Sequence, residues 1–402
     1  MRILYHHRTR GGDAQGVHIR ALCRAFRGLG HQVDVVAPAA PWCRGRPEAA
    51  AAREGASSDP EAGPTLLGRP IHPLLYEFLA LAYNGPALLV LLARSAVRAP
   101  DLIYERYSLF TVAGLVAARL LRRPFVLEVN APLSLELRSH GRLVLRRAAE
   151  RIEGWLCRSA TRTVVVSEAM AAIFTERGVP RERLMVVPNG VDDARFHEGV
   201  GGGAVRRRHG IEHARVIGFV GWVRPWHGVE LLLRAAAPQL AAQRDVYLLI
   251  VGDGPALPEI ARQAEALGVA DRVILTGAVA SEVIPEYIAA LDIAVQPAAT
   301  PYASPIKLFE YLALGRAVVA PDQGNIREVA RDGVSAALFE PGDEQALRLR
   351  LEALLDDPQS RRDLGAAGAR LVRERGYTWR GNAQRVLEVV GEGGEAPGAV
   401  RP

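Results

Sequence analysis

The feature of this sequence that most constrains its fold is an alternation of short apolar strands with amphipathic helices, which occurs twice along the chain. The first series begins with a strand at residues 2–5 and a helix whose apolar positions keep a helical period from Ile19 to Leu29. The second begins with a strand at residues 215–220. Such an alternation is typical of parallel sheets covered by helices. We therefore expect an α/β protein with two doubly wound, Rossmann-like domains facing a central cleft, in which ligands bind beyond the carboxyl ends of the strands.

The boundaries of these domains are predicted from changes in composition along the 402 residues. The first domain is predicted to cover residues 1–195 and the second residues 207–376. A linker at residues 196–206 separates them, because its glycine-rich sequence favours a flexible chain. A stretch rich in Ala, Gly, Pro and Ser at about residues 44–68 is predicted to be a flexible insertion. Residues 377–402 are predicted to form a last helix and a frayed tail.

Composition and charge argue against several classes of protein. The 50 basic and 44 acidic residues leave a net charge of +6 that is spread along the chain. A nucleic-acid-binding protein concentrates its basic residues in a patch, so that class is disfavoured. Cys23, Cys43 and Cys157 lie far apart and match neither a disulfide framework nor a zinc site. The N-terminal sequence MRILYHHRTR has no apolar core, so we predict no signal peptide and a cytoplasmic location.

The most apolar window of the chain covers residues 74–97 and is interrupted by Glu77, Asn84 and a glycine-proline pair. Each uninterrupted stretch is shorter than the roughly 20 apolar residues that a membrane-spanning helix needs. We therefore predict two core helices that meet at the glycine-proline pair. The alternative is a hairpin that rests on an anionic membrane together with the arginine-rich helix around residues 142–158.

Residues 304–315, SPIKLFEYLALG, carry the strongest functional signal. Lys307 is the only lysine among the 50 basic residues, which favours a role that the planar guanidinium of arginine does not fulfil, although a single lysine can also survive by chance. It lies in the first turn of a predicted helix, where free N–H groups and the helix dipole favour an anion such as a diphosphate. Glu310 lies three positions later on the same face and is placed to accept hydrogen bonds from two sugar hydroxyls. The alternative is an ordinary Lys–Glu pair on a surface helix.

This segment resembles the C-terminal donor site of the retaining glycosyltransferases of family 4, which have the GT-B fold. In that family, the second of two glutamates holds the ribose of the nucleotide. Glu310 matches the second glutamate, whereas Tyr302 occupies the position of the first, so contacts to the donor sugar must be supplied differently. The resemblance also implies that the C-terminal helix crosses back to the N-terminal domain. The donor-binding residues that it implies beside Lys307 are Tyr302, Ser304, Pro305, Ile306, Leu308 and Glu310.

A second segment, residues 218–233, resembles the strand and loop with which the family places an arginine and a lysine against the donor diphosphate. Trp222 occupies the arginine position, His227 occupies the lysine position, and Arg224 lies between them. The alternative is a core tryptophan pair beside an incidental histidine.

Other matches to the family are shorter. Gly277 and Val279 match the loop whose backbone faces the nucleobase. The turn at residues 188–192, PNGVD, matches the turn that closes the N-terminal domain and supports the fold more than catalysis. The sequence VGDGP at residues 251–255 is only a fragment of a dinucleotide fingerprint, so it disfavours a nicotinamide cofactor.

The N-terminal half contains the acceptor-side residues that the resemblance implies. A glycine loop with Gly11 and Gly12 follows the first strand and is expected to lie over the donor diphosphate. His18, in the next helix, either lies on the acceptor side or packs inward. Glu105 and Arg106 follow another predicted strand and either reach the acceptor or form a buried structural pair.

Together, these features predict a retaining glycosyltransferase that moves a hexose-type sugar from a nucleoside diphosphate sugar to a hydroxyl of a glycan or a lipid-linked acceptor. The predicted catalytic residues are Lys307, Arg224 and Asn130, of which Asn130 stands near a family histidine that contacts the transferred sugar. No metal and no other cofactor is expected, because cationic side chains occur where a carboxylate cluster would hold a metal. The alternatives are an epimerase or a phosphorylase of the same fold, or a non-catalytic protein that binds sugar nucleotides. Peripheral contact with the inner face of the membrane is a further expectation.

Overall fold

The computed structural model describes residues 1–9, 14–37, 65–66 and 69–392. The chain forms two compact units, of which unit 1 comprises Met1–Pro188 and Trp379–Pro402 and unit 2 comprises Asn189–Thr378. The division lies at Pro188, earlier in the chain than the expected boundary at residue 195. The last helix belongs to unit 1.

Unit 1 contains, in its described part, a six-stranded parallel sheet in the order β2-β1-β5-β6-β7-β8. Its central strands are buried on both faces, as their mainly apolar sequences LIYER and FVLEV favour, although each strand also buries a glutamate. The strands are β1 Arg2–His6, β2 Gln32–Val36, β5 Leu102–Arg106, β6 Phe125–Val129, β7 Arg162–Val165 and β8 Leu184–Val186, with a separate antiparallel pair β3 Thr65–Leu66 and β4 Arg69–Pro70. The helices are α1 Ala14–Gly28, α2 Pro73–Ala82, α3 Asn84–Val97, α4 Ala113–Leu121, α5 Leu133–Ser139, α6 Arg146–Ser159, α7 Glu168–Glu176 and, at the end of the chain, α16 Trp379–Glu392.

Unit 2 contains a second six-stranded parallel sheet in the order β11-β10-β9-β12-β13-β14. Two clusters of buried apolar side chains form its core. The strands are β9 Arg215–Val220, β10 Val246–Val251, β11 Val273–Leu275, β12 Ile293–Val295, β13 Ala317–Pro321 and β14 Ala337–Phe339. The helices are α8 Gly203–His209, α9 Val229–Ala242, α10 Leu257–Ala266, α11 Ile284–Ala289, α12 Ile306–Ala313, α13 Gly324–Arg327, α14 Glu344–Asp356 and α15 Pro358–Arg375.

The stretch expected to be a flexible linker is instead anchored to unit 2 by its buried residues Phe196, Gly202 and Val205. A Cβ added at Gly202 would lie 2.3 Å from the main-chain nitrogen of Ala290, so the glycine allows two backbones to touch. Helix α8 begins directly after it, at Gly203. Gly202 therefore serves close packing, which composition alone does not distinguish from flexibility, whereas a Cβ added at Gly201 would meet nothing within 4 Å. The expected insertion at residues 44–68 lies almost wholly outside the described residues.

The apolar window forms α2 and α3, which meet at Tyr83 rather than at the glycine-proline pair. The prediction that the window forms two core helices is wrong for many of the window's apolar side chains, because Phe78 is 55% exposed and Leu89 is 70% exposed. Among the described residues, Pro73–Val97 is the one stretch long and apolar enough to cross a membrane by length and composition, and 22% of its most apolar window is buried.

Candidate functional site

Three glycine turns of unit 2 lie together at one edge of its sheet. Gly221 follows β9, Gly252 follows β10 and Gly277 lies just beyond β11. Because these strands are parallel neighbours, their carboxyl ends share that edge. A Cβ on Gly252 would lie 2.1 Å from the carbonyl oxygen of Gly221, and the Gly252 N–H donates to the Gly277 carbonyl over 3.1 Å. The turns are therefore packed backbone against backbone, which only glycine allows at Gly252.

Lys307 lies over the first of these turns. It belongs to the first turn of α12, and its Nζ is 4.1 Å from the centre of the Phe219 ring. A Cβ on Gly221, where φ is +143°, would lie 2.9 Å from that Nζ. The ammonium group is thus held by a cation–π contact on a surface that is otherwise backbone. Burial lowers the pKa of Lys307 to about 8, and Glu310 opposes this shift.

Glu310 is half-buried one helical turn after Lys307. Burial raises the pKa of its carboxyl group to about 7, although Lys307 and Arg195 both oppose the rise. Strongly shifted acid and base groups at the carboxyl edge of an α/β sheet are typical of ligand sites. The structure therefore brings together the two residues that the sequence singles out most clearly.

The loop between β12 and α12 is held in place by contacts and hydrogen bonds from residues outside it. Gly228 touches it, since a Cβ there would lie 3.0 Å from the Cβ of Ala298. Asn325 donates from its amide to the carbonyls of Thr300 and Ala303 over 3.0 and 2.6 Å. Gln323 donates to the carbonyl of Ala299. The two predicted segments, 218–233 and 304–315, are thus placed side by side.

Ser304 is also fixed within unit 2. Its hydroxyl accepts the N–H of Asn189 over 2.9 Å, and its carbonyl accepts the Asn189 side-chain amide over 2.6 Å. The PNGVD turn therefore holds the start of α12. This contact gives Ser304 a positioning role, which the sequence did not predict.

His227 and Arg224 lie in the loop after β9. The Nδ1 of His227 donates to the carbonyl of Trp222, because a carbonyl oxygen only accepts. Burial lowers the pKa of His227 to about 3, and the charge of Lys307 adds to the shift. The imidazole is therefore neutral near pH 7, whereas the family has a lysine cation at this position. The guanidinium of Arg224 lies 4.9 Å from the centre of the Trp226 ring.

Several other predicted donor-site residues are placed as follows. Pro305 is the N-cap of α12, and Ile306 and Tyr302 are half-buried. Val279 packs partly buried against the core of unit 2. The assignment of Leu308 is corrected, because its side chain is fully buried in that core and its N–H donates to the Pro305 carbonyl. Its side chain faces the sheet, as the apolar face of α12 requires.

In unit 1, a buried carboxylate that the sequence analysis did not single out organises the carboxyl edge of the sheet. Glu128, 1% exposed near the end of β6, accepts hydrogen bonds from the Tyr104 hydroxyl over 2.7 Å and from the Arg106 guanidinium over 2.6 Å. The amide of Asn130 also donates to it. Burial raises the pKa of Glu128, but His18, Arg106 and these hydrogen bonds outweigh burial and hold it below its usual value.

This network orients Asn130. Only the Nδ2 of its side chain can donate to a carboxylate, so the Oδ1 points away from Glu128 and is the acceptor that the residue presents. Asn130 is half-buried, unlike the fully buried Glu128. Residues 127–132, LEVNAP, contain both Glu128 and Asn130. The sequence signal for Glu128 was a charged residue inside an otherwise apolar strand.

Glu105 and Arg106 are both buried and do not pair with each other. Successive residues of a strand point to opposite faces, so Arg106 meets Glu128 while Glu105 contacts His6 and accepts the N–H of Gly114 over 3.1 Å. The prediction that they form one pair is therefore wrong. Their burial also contradicts the alternative in which Glu105 itself reaches an acceptor.

His18 takes the inward position. Its Nε2 is 3.3 Å from Glu128, and its ring centre is 4.6 Å from that of Trp379. Burial lowers the pKa of His18 to about 4, so it is neutral and acts as part of the packing against α16.

Gly11 and Gly12 lie outside the described residues. Within residues 1–9, 14–37 and 69–392, no group of three or more His, Cys, Asp or Glu residues is placed to hold a metal ion.

Each half of the chain matches the model of a known protein family. Residues 15–195 match the model of "Glycosyltransferase Family 4", and residues 214–357 match that of "Glycosyl transferases group 1". The chain is 39% identical over 204 residues to a D-inositol 3-phosphate glycosyltransferase of Geodermatophilus obscurus, covering 48% of this chain and 44% of that protein. It is 28% identical to the MMP alpha-(1->4)-mannosyltransferase of Mycolicibacterium hassiacum, covering 96% of each chain. The matches to four further curated relatives cover 51–67% of the length of those proteins.

A solved structure shows the same fold. The Anabaena protein Alr3699/HepE in complex with UDP superposes with a TM-score of 0.72 at 20% identity, covering 98% of this chain and 100% of that chain. Two parallel six-stranded sheets covered by helices, one in each unit, agree with that likeness. The chain has the GT-B fold and belongs to glycosyltransferase family 4, the group 1 glycosyltransferases.

Proposed function

We propose that this protein is a retaining glycosyltransferase that moves a hexose-type sugar from a nucleoside diphosphate sugar to a hydroxyl acceptor, in the assembly of a glycan, an exopolysaccharide or a glycolipid. One observation carries the proposal. Lys307 lies in the first turn of α12, above the backbone of Gly221, and Glu310 follows one turn later. A cation on a bare glycine turn, beside a carboxylate, suits a diphosphate joined to a ribose.

The chemical demand of such a reaction is to stabilise the departing diphosphate, whose negative charge grows as the glycosidic bond breaks. Lys307 and the free N–H groups at the start of α12 supply positive potential that is already in place. Because His227 is neutral in the ligand-free protein, we assign the main cationic role to Lys307, with Arg224 as the second basic group. The oxygen of the departing phosphate then accepts the proton of the attacking hydroxyl on the same face of the sugar.

The remaining roles follow the chemistry of each side chain. Glu310 accepts hydrogen bonds from two ribose hydroxyls, which requires its ionised form. Asn130 presents its Oδ1 as an acceptor for a sugar hydroxyl, since its Nδ2 is committed to Glu128. The donor is assigned to unit 2 and the acceptor, a glycan or a lipid-linked hydroxyl, to unit 1. We place the protein in the cytoplasm with peripheral contact at the inner face of the membrane.

Initial-rate kinetics on Lys307→Met, Lys307→Arg and Glu310→Gln test this proposal. Loss of a charge that acts in the transition state should lower kcat and kcat/KM of Lys307→Met by about 10²–10³-fold. Lys307→Arg should recover only part of the rate, because the guanidinium is larger and aims its donors differently. Glu310→Gln should mainly raise the donor KM, since the ribose is unchanged in the reaction.

The matched control is Glu344→Gln, which alters an exposed ion pair with Arg234 in the same unit and should leave the kinetics unchanged. Thermal melting must first show that each variant is folded. Sugar transfer by Lys307→Met at the wild-type rate would overturn the assignment of the diphosphate to this turn. A thermal-shift screen of UDP-, GDP- and ADP-sugars identifies the base of the donor.

The proposal also makes sugar transfer independent of a metal ion, because Lys307 and Arg224 take the place of a cation held by carboxylates. Treatment with EDTA should therefore leave the rate of transfer within about twofold of the untreated enzyme, well under the tenfold that 1.4 kcal/mol of barrier represents. Loss of activity in EDTA that manganese or magnesium restores would contradict this part of the proposal.

A further inference from the structure

The inward side of helices α2 and α3 carries polar residues that are hydrogen-bonded to other segments, beside the buried apolar residues Ala80, Ala87 and Leu91. Glu77 is 1% exposed and accepts the main-chain N–H groups of Val144 and Leu145 over 2.6 and 2.7 Å. Asn84 accepts the N–H of Val112 over 2.7 Å and donates to the carbonyl of Phe110 over 2.8 Å. These hydrogen bonds tie both helices to the rest of unit 1 through polar residues, so their large exposed apolar side chains are not needed for that contact.

The opposite side of the two helices is apolar and exposed. In α2 the residues Leu75, Phe78 and Leu79 recur at intervals of three and four, and in α3 Val90 and Val97 are seven residues, or two helical turns, apart, which places each set on one side of its helix. Leu89 is 70% exposed, Val97 is 79% exposed and Phe78 is 55% exposed. We call this set the outward face; its large members are Leu75, Phe78, Leu79, Leu89, Val90 and Val97. A face of this size and composition marks a surface that meets an apolar environment.

Basic side chains stand at one end of the outward face, where α3 ends. Arg94 and Arg98 are exposed at the end of α3. The exposed Arg146 and Arg147 directly follow, in the chain, the main-chain amides whose N–H groups Glu77 accepts on the inward side of α2. Arg94 has Asp34 at 3.5 Å, but an ion pair this exposed leaves its charge available to other partners. An apolar helical face with arginines at its end is typical of a helix that lies in the interface of an anionic membrane.

A spanning arrangement does not fit the same contacts. Crossing the bilayer would place Glu77 and Asn84 in hydrocarbon without the main-chain partners they now have, which is costly for both groups. Lying flat keeps those hydrogen bonds and buries only the outward face. The helical stretch Pro73–Val97, 25 residues long, is then parallel to the membrane surface.

We infer that the outward face of α2–α3 lies at the boundary of headgroups and acyl chains of a bilayer that contains anionic lipid, with Arg94 and Arg98 at the end of α3 among the headgroups. This inference rests on the peripheral contact included in the proposed function and names the surface that makes it. It does not depend on sugar transfer.

Vesicle flotation of the full chain tests the inference. Wild-type protein should float with phosphatidylcholine vesicles that contain phosphatidylglycerol, and less with phosphatidylcholine alone. The double variant Phe78→Glu/Leu89→Glu should bind at least about tenfold more weakly, because two charges then enter the apolar boundary. Leu349→Glu, at a residue of unit 2 that is 52% exposed, is the matched control and should float like wild type.

Three outcomes would overturn the inference. They are no flotation of wild type even at low salt, equal flotation of the double variant, and a lipid-free dimer in light scattering that the double variant splits. The last would assign the outward face to a second copy of the chain. Donor binding, followed by thermal shift, should be unchanged in the double variant. If wild type floats but binds no sugar nucleotide, the proposed function fails and this inference stands.

Discussion

Lys307 and Glu310 oppose each other's shifts and yet remain displaced from their ordinary pKa values. Burial moves the ammonium toward its neutral form and the carboxyl toward its neutral form, while the attraction between them favours both charges. Both groups therefore change protonation close to neutral pH, Glu310 at about 7 and Lys307 at about 8. A bound diphosphate would favour the charged form of Lys307, which gives the ligand a direct effect on the protonation of the site.

The pH dependence of kcat/KM for the donor follows from this pair. Ionised Glu310 is needed to accept hydrogen bonds and its pKa is about 7, so activity should rise with pH through that value. Charged Lys307 is needed to bind the diphosphate and its pKa is about 8, so activity should fall above that value. The profile should be a narrow bell that reports the free enzyme.

Two variants distinguish the limbs of the bell. Glu310→Gln should lose the acidic limb, and Lys307→Arg, whose guanidinium stays charged, should lose the alkaline limb. Because the two groups interact, each variant should also shift the remaining limb somewhat. A wild-type profile that is flat from pH 6 to pH 9 would show that neither group titrates in the way the structure indicates.

At the scale of elements, the site depends on glycine turns, because a side chain in them would collide with neighbouring groups. The turn after β9 is close to Lys307 on one side and to Gly252 on the other. The loop before α12 is held by Asn189, Gln323 and Asn325 from other elements. Parallel strands bring these turns to one edge, and the glycines then let the backbones approach the cation.

Gly221→Ala should disturb this arrangement. The new Cβ would lie 2.9 Å from the Nζ of Lys307 at a φ of +143°, so either the backbone or the lysine must move. We expect a drop of about tenfold or more in kcat/KM, since small misplacements of binding groups are costly. Gly268→Ala is the control, because Gly268 also has a positive φ but nothing lies within 4 Å of the added Cβ. Equal kinetics for the two variants would contradict the placement of Lys307.

At the scale of the whole molecule, each unit has its own core. The four hydrophobic clusters found among the described residues each draw on one unit only. Glu128 is one of several buried carboxylates of unit 1, where it stabilises Arg106 in a buried position. Lys307 and Glu310 belong to unit 2. Ligand binding and the buried network are therefore expected to act on different cooperative units.

Calorimetry of Glu128→Gln tests this division. Breaking a buried ion pair costs about 3–5 kcal/mol, so the unfolding transition of unit 1 should fall by roughly 10 °C. A sugar-nucleotide donor at about 100 times its Kd should instead stabilise unit 2 by about 2.7 kcal/mol. Glu150→Gln, which alters an exposed pair with Arg138, is the control and should change little. A donor that raises the same transition that Glu128→Gln lowers would contradict the assignment.

The sequence by itself determined the two βα series, the GT-B class through its resemblance to family 4, and the neighbouring positions of Lys307 and Glu310. Strand and helix periods are local properties, and α12 places Lys307 and Glu310 on one face by its own geometry. The segments flanking them were also visible, because turn residues such as Gly221 and Asn189 are recognisable where they stand in the chain.

Only the tertiary structure decided what depends on partners distant in sequence. The pairing of Arg106 with Glu128 rather than Glu105, and the inward position of His18, follow from which strands become neighbours. The outward exposure of Phe78 and Leu89 was decided by Glu77 and Asn84, which bind main-chain groups of other segments. Hydropathy counts how apolar a helix is, but the buried side is chosen by the hydrogen bonds that must be satisfied there.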